Sequence, residues 1–316
     1  MTDLPTIVSA NPSVTVIVAT YNALSSLKLC LYSLERQEFT DFEIILADDG
    51  SGPDLAAWVR EYQGETLFSL RHLWQEDQGF RKCRMLNRAV MEARGDYLVF
   101  LDADCIQARD FLKTHWLHRE KRYYLGGMRV MMDPSLTATI TREMIDSGTF
   151  DHLSIWAAWQ TLRGGLKRLE EACRPLRTLR PHHPFHLLGC NFSIHRQDLL
   201  SINGFDEDYT SRGGGEDTDV ALRLDKVGMR LKSVRYAAIQ YHLGHGPAES
   251  KENSFRLFQS KRARLTSPEE ARAINSAFAR QAAIAEGDLP PAAEDGRRCA
   301  TLTVSDEDPS CPNARK

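Results

Sequence analysis

Residues 95–105 read Gly-Asp-Tyr-Leu-Val-Phe-Leu-Asp-Ala-Asp-Cys. Tyr97 to Leu101 is an unbroken apolar run of strand formers, and it empties into Asp102-Ala103-Asp104. An unbroken run suits a buried strand of an α/β sheet. Ligand sites in such sheets lie beyond the carboxyl ends of the strands. Paired carboxylates there suit a hard divalent ion, which takes oxygen ligands and can bridge to a diphosphate. Asp at a strand end is also a turn former, so this stretch alone leaves both roles open.

The same pattern repeats on either side of it. VTVIVA at 14–19 is an apolar strand followed by Thr20-Tyr21-Asn22, and residues 24–34 carry Leu24, Leu27, Leu31 and Leu34 at helical spacing. FEIILA at 42–47 is a second strand running into Asp48-Asp49-Gly50-Ser51-Gly52. A helix over 55–62, a strand over 67–73 and a helix from Gly79 to Arg94 complete the approach to Tyr97. Strand alternating with helix implies a mostly parallel sheet of the α/β class with flanking helices. Beyond the central strand a helix is expected over 110–122 and a strand within 123–132. Residues 133–185 break the alternation and read as an insertion that covers or extends the active face. Strand character returns at 187–194, helical periodicity at 218–227, and a last strand over 231–239 runs into Gln240-Tyr241-His242-Leu243-Gly244-His245. Residues 1–12 read as a flexible leader, and 267–316 as a helical extension with a Pro-, Asp- and Glu-rich disordered tail.

Composition narrows the class. A balance of 40 basic against 43 acidic residues, net -3, gives no global drive toward nucleic acid. The 7 cysteines form no CxxC pair, which argues against a disulfide framework or structural zinc site. His182, His183, His186 and Cys190 match no standard zinc spacing either. No run of 18 apolar residues occurs, so a cytoplasmic protein is expected, with peripheral contact at the inner membrane face as its closest approach to lipid. The basic run 163–180, with leucines among its arginines and lysines, would provide that contact; a solvated helix face would have the same composition.

Five polar clusters follow strands or precede a helix: Thr20 to Asn22, Asp48-Asp49, Asp102 to Asp104, Glu216-Asp217 and His242 to His245. Parallel strands put their carboxyl ends on one edge, so most of these should converge. VTVIVATYN, ADDGS, DQGFRKCRMLN, LDADC and GGGEDTDVALR together resemble the inverting nucleotide-sugar glycosyltransferases of family 2, with their GT-A fold. The resemblance covers about residues 13–250 and is greatest to the branch of bacterial chondroitin-type polymerases and β-1,4-galactosyltransferases. It implies a domain over 13–266, with a nucleotide-sugar half at 13–130 and an acceptor half at 187–250.

That resemblance implies residue roles. Thr20, Tyr21 and Asn22 would line the nucleotide pocket, with Asp48, Asp49 or both holding base or ribose. A carboxylate can accept the imide N–H of uracil, hence a UDP-sugar donor. Phe80, Arg81, Lys82 and Arg84 stand where the family keeps basic residues near the donor diphosphate, and no ranking among them follows. Asp104 would hold manganese, or magnesium as the alternative, with His242, His245 or both. Asp102 would contact ribose or metal-bound water, beside Ala103. Asp217 would be the general base that deprotonates the acceptor hydroxyl, and Glu216 would hold the acceptor or support the base. Gly214 and Gly215 would admit the sugars closely, with Trp156 and Trp159 as candidate sugar platforms. The implied acceptor is a glycan or lipid-linked glycan of bacterial-type polysaccharide synthesis. A sugar-nucleotide pyrophosphorylase and an inactive carbohydrate-binding protein are the rival readings; no GxGxxG or GxxxxGK motif supports a dehydrogenase or P-loop enzyme.

Overall fold

The computed structural model describes residues 11–176, 186–211, 213, 215–246, 252–275 and 278, with no account of side chains at 252–253. Its strands are β1 (Val14–Thr20), β2 (Phe42–Asp48), β3 (Ser69–Trp74), β4 (Tyr97–Asp102), β5 (Cys105–Gln107), β6 (Tyr123–Gly126), β7 (Val130–Met132), β8 (Leu166–Lys167), β9 (Phe192–His195), β10 (Arg230–Ser233) and β11 (Gln240–His242). The helices are α1 (Leu24–Glu35), α2 (Pro53–Gln63), α3 (Lys82–Glu92), α4 (Phe111–His118), α5 (Pro134–Thr137), α6 (Arg142–Asp146), α7 (Ile155–Leu162), α8 (Arg196–Leu200), α9 (Glu216–Lys226), α10 (Glu252–Arg264) and α11 (Pro268–Ala273).

A 7-stranded sheet runs β10-β6-β9-β4-β1-β2-β3. β1 and β2 are buried along their whole length, because helices cover both faces. Alternate residues serve opposite layers. Ile17, Ala19, Leu98 and Phe100 face α3 and α9, whereas Val16, Val18, Val99 and Leu101 face α1, α2 and α4. β1 pairs in parallel with β2 on one side and β4 on the other, matching Thr20 with Asp48 and Ala19 with Asp102. The connections diverge from β1 at this point, which is the topological switch where α/β sheets hold their ligands.

The sheet departs from the expected mostly parallel type in one strand. β9 runs antiparallel to both β4 and β6, since the chain enters it from residues 133–191 and not through a crossover helix. The expected strand within 123–132 becomes two strands in different sheets. Between them Gly127 lies against the Asn191 side chain, where a Cβ would come within 2.5 Å of Asn191 Nδ2. The expected strand over 231–239 likewise divides into β10 and β11, so His242 lies within a strand and not after it. The expected helix over 110–122 is confined to α4, and the strand over 187–194 to β9. Helix α10 was not anticipated at all.

β5, β11, β7 and β8 form a second, 4-stranded sheet. The described part of the insertion, 133–176, packs beneath it around Leu136, Ile145, Phe150, Ala157 and Tyr241. The described part of the insertion therefore builds its own apolar layer and contributes no residue to the cleft described next. Cys30, Cys83, Cys105 and Cys190 are free and buried, as small core residues.

Candidate active site

An open cleft lies at the carboxyl edge of the large sheet. Thr20, Tyr21 and Asn22 line it from β1, Asp49 from β2, Asp102 to Asp104 from β4, Lys82 from α3, Glu216 from α9, and His242 and His245 from β11 and its exit. All five polar clusters named from the sequence contribute at least one residue. The register explains the central juxtaposition. Asp102 pairs with Ala19, and Ala103 N–H donates to Ala19 O at 2.9 Å, so the carboxylates emerge beside Thr20. The Thr20 hydroxyl oxygen is buried without a partner among the described residues.

The adjacent carboxylates of β2 have different tasks. Asp48 is fully buried and does not reach the cleft. It accepts from Ser51 N–H at 2.8 Å and lies 2.8 Å from His72 Nε2, which fixes the turn. Asp49 faces the cleft and accepts from Gln75 Nε2 at 2.5 Å and from Arg81 N–H at 2.7 Å. Burial raises its pKa against those donors. Asn22 ties the first loop to this turn, donating from its backbone to Ser51 Oγ and accepting from Gly52 N–H at 3.0 Å. Tyr21 donates to Asp77 Oδ2 at 2.9 Å across the cleft mouth.

The structure separates the cations that the sequence left unranked. Arg84 is exposed and outside the cleft. The Arg81 guanidinium donates to Gln78 Oε1 and Glu76 O, each at 2.7 Å. Lys82 alone of the three lines the cleft, because it opens α3 there. Its ammonium donates to Asp102 Oδ1 at 2.7 Å and lies 3.9 Å from Glu216 Oε1. Burial opposes its charge, but Asp102 and Glu216 outweigh that and hold the ammonium above its ordinary range. Asp102 is the reciprocal case: burial opposes its charge, and Lys82 brings it below the usual carboxylate value.

Asp104, His242 and His245 form the candidate metal cluster among the described residues, with ligand atoms all within 4.8 Å of one another. Asp104 Oδ2 is 3.3 Å from His242 Nε2 and 3.6 Å from His245 Nε2. Bonds of about 2.1 Å at right angles put neighbouring ligands about 3 Å apart, close to these separations. His245 Nδ1 lies 3.0 Å from Gly246 O; donation there leaves Nε2 with its lone pair toward Asp104. Burial lowers the pKa of His242 despite Asp104, which favours the neutral imidazole a metal requires. Two imidazoles and a carboxylate fit a divalent transition ion. Asp102, named as a further ligand, is engaged by Lys82 and lies outside this cluster. The cluster has structural support from the insertion: Gly244 N–H donates to Thr137 Oγ1 at 2.7 Å.

Glu216 and Asp217 open α9 after Gly215, whose φ of 114 suits glycine. Glu216 reaches the cleft, and burial raises its pKa against the pull of Lys82. Asp217 is oriented by Gly189 N–H at 3.1 Å and Thr218 N–H at 2.7 Å. Gly214 lies outside the described residues, as do His182 and His183. Gly215 packs on Tyr209, where a Cβ would come within 3.1 Å of Cε1. The two tryptophans proposed as sugar platforms lie away from this cleft. Trp156 packs edge-on to Phe150, ring centroids 5.5 Å apart, Trp159 points outward, and neither lines the cleft. Sequence reasoning missed Ser26, Thr210, Ser211 and Gly246, which do line it. Only the Thr-Ser pair beside the glycine run offered a signal.

Comparison with known proteins is consistent with this geometry. Residues 15–154 match the family described as Glycosyl transferase family 2, and residues 176–246 match one described as N-terminal domain of galactosyltransferase. Chondroitin synthase of Escherichia coli is 26% identical over 247 residues, 72% of this chain and 34% of that protein. Hyaluronan synthase of Pasteurella multocida is 25% identical over 239 residues, 69% of this chain and 23% of that protein. The chain thus spans about a third of the first relative's length and less of the second's. Among solved structures, a mannosyltransferase from Pyrobaculum calidifontis in complex with GDP-Man and Mn2+ superposes with TM-score 0.52 at 18% identity, covering 90% of this chain and 78% of that one. That likeness shows the fold. The matches thus show residues 15–154 to be similar to glycosyltransferase family 2, and the chain to be distantly similar to the bacterial chondroitin and hyaluronan synthases.

Proposed function

We propose that the chain transfers a sugar, with inversion, from a UDP-sugar to a hydroxyl of a glycan or lipid-linked glycan in bacterial-type polysaccharide synthesis. The observation that carries this reading is the meeting, in one cleft, of the Asp104–His242–His245 cluster with Glu216 at the head of α9, next to which Asp217 stands just outside the lining. Asp49 and the Thr20–Asn22 loop would receive the nucleoside; Asp49 retains lone pairs for the imide N–H of uracil. A divalent ion on the cluster, manganese by its donor set, would supply Lewis-acid stabilisation of the departing diphosphate. Lys82 adds the protein's own positive charge along the same path, and Asp102 keeps that ammonium in place.

Inversion needs one displacement. The acceptor oxygen forms its bond to the anomeric carbon as the bond to the diphosphate oxygen breaks, and a base takes the hydroxyl proton. Asp217 is that base in this reading. Its carboxylate is pre-oriented by Gly189 and Thr218, and its remaining lone pairs are available to the hydroxyl. Glu216, on the cleft wall, would hold the acceptor.

The test is metal-dependent release of UDP from a panel of UDP-sugars, with and without candidate acceptors. Asp217→Asn should lower kcat by about 10²–10⁴-fold while donor affinity is retained. Asp104→Ala should abolish both turnover and the rise in thermal midpoint that Mn2+ gives the parent. Glu216→Gln should act mainly on acceptor KM. Nucleoside triphosphate formed only with added pyrophosphate would establish the pyrophosphorylase alternative instead, and full activity in both aspartate variants would end the catalytic assignment.

A further inference from the structure

Helix α7 fully buries Ala157 and turns Ile155, Trp159 and Leu162 outward, 91%, 55% and 83% exposed. Spacings of four and three residues put them on one stripe, and Leu153, also exposed, extends it before the helix. A helix needed only to cover the small sheet would be polar on this side. The segment that carries the stripe has charge of one sign, bounded by Asp151 before it and the exposed Glu170 after it. Residues 152–169 contain no acid, while Arg163, Lys167 and Arg168 are all exposed. Asp151, just before the segment, is already paired with Arg36 at 2.8 Å. The Arg163 guanidinium lies 6.0 Å from the centre of the Trp159 ring, so the apolar stripe and the basic edge adjoin.

An apolar stripe bearing a tryptophan and bordered by arginine and lysine suits the bilayer interface. Its aliphatic side chains enter the acyl boundary, the indole sits at headgroup depth and the cations meet lipid phosphates. A second copy of this face would bring the same cations against one another, which disfavours self-association. We infer that residues 153–168 dock the protein on an anionic lipid bilayer, with α7 lying in the plane of the interface. This does not depend on the transferase reading, since it needs neither donor nor metal. It does have a consequence for the cleft. β8 pairs with β7, and β7 with β11, so the docking segment and His242 belong to one small sheet.

Flotation of the full chain with vesicles tests the inference. The protein should float with vesicles of phosphatidylcholine mixed with phosphatidylglycerol, not with phosphatidylcholine alone, and raised salt should weaken the binding. The variant Ile155→Ser/Trp159→Ser/Leu162→Ser and the variant Arg163→Glu/Lys167→Glu/Arg168→Glu should each lose at least about tenfold in partitioning. All these side chains are exposed, so both variants should keep the parent's thermal midpoint. Failure to bind anionic vesicles, or equal binding by parent and variants, overturns the inference. A concentration-dependent dimer abolished by the serine variant would also overturn it, because a second copy would then occupy the face.

Discussion

Lys82 shows most directly how single side chains set the character of the cleft. It stands between Asp102 and Glu216, and each carboxylate would lose its principal counter-charge without it. Breaking a buried pair costs several kcal/mol because a charge is left behind; these side chains are 20% and 28% exposed, so about 1–2 kcal/mol is the appropriate scale here. Lys82→Ala should therefore lower the thermal midpoint and reduce kcat by about a hundredfold or more. Adding Asp102→Asn should restore stability but not rate. If the double variant recovers both, Lys82 acts only as the counter-charge of Asp102. The sequence placed Lys82 among three indistinguishable cations, since a helix N-terminus reads the same whichever way its side chains turn. It also left Asp48 and Asp49 equivalent. Only the path of the turn after β2 makes one a structural acceptor and the other a wall of the cleft.

At the scale of elements, residues 206–211 of the loop before α9 are held from outside the stretches matched to known families. Lys261 of α10 pairs with Asp206 and, at 2.7 Å, with Asp208. Ser254 Oγ donates to Ser211 O at 2.9 Å. Thr210, Ser211 and Gly213 of this loop line the cleft, while the second family match ends at residue 246. Asp206 is buried, so losing its partner should cost about 2 kcal/mol locally. Lys261→Ala should raise acceptor KM about tenfold, a loss of about 1.4 kcal/mol, with donor affinity unchanged and Lys261→Arg restoring much of the effect. Titrating acceptor against each variant decides it; unchanged KM would mean the loop is positioned by α9 alone. Nothing in the sequence indicated this role, because α10 is a mostly polar helix whose importance lies in which loop it reaches.

Across the whole molecule, one polar chain joins α4 to strands of the large sheet and to the segments that lead into β7 and β11. Tyr97 Oη is 2.8 Å from Ser193 Oγ, which is 2.7 Å from His115 Nδ1, and His115 Nε2 is 3.1 Å from Asn191 Oδ1. Asn191 Nδ2 in turn donates to Met128 O and Ala238 O. Burial lowers the pKa of His115 from 6.5 to about 3, so the folded protein keeps it neutral where the unfolded chain takes a proton. The folded pKa is depressed, so this contribution is present above pH 6.5 and is lost as pH falls from there toward 3. Between pH about 7 and about 5 the stability advantage over His115→Gln should shrink by about 2 kcal/mol, measurable from denaturant midpoints; a constant difference would refute it. The amino-acid sequence by itself determined the α/β class, the order of elements through β4, and which polar clusters end the strands, because those depend on periodicity and local turn chemistry. Tertiary structure alone decided the antiparallel β9, the second sheet, the exposure of Trp159 and the choice of Lys82. Each of these depends on which distant segment packs against which, and residue spacing along the chain carries no record of that.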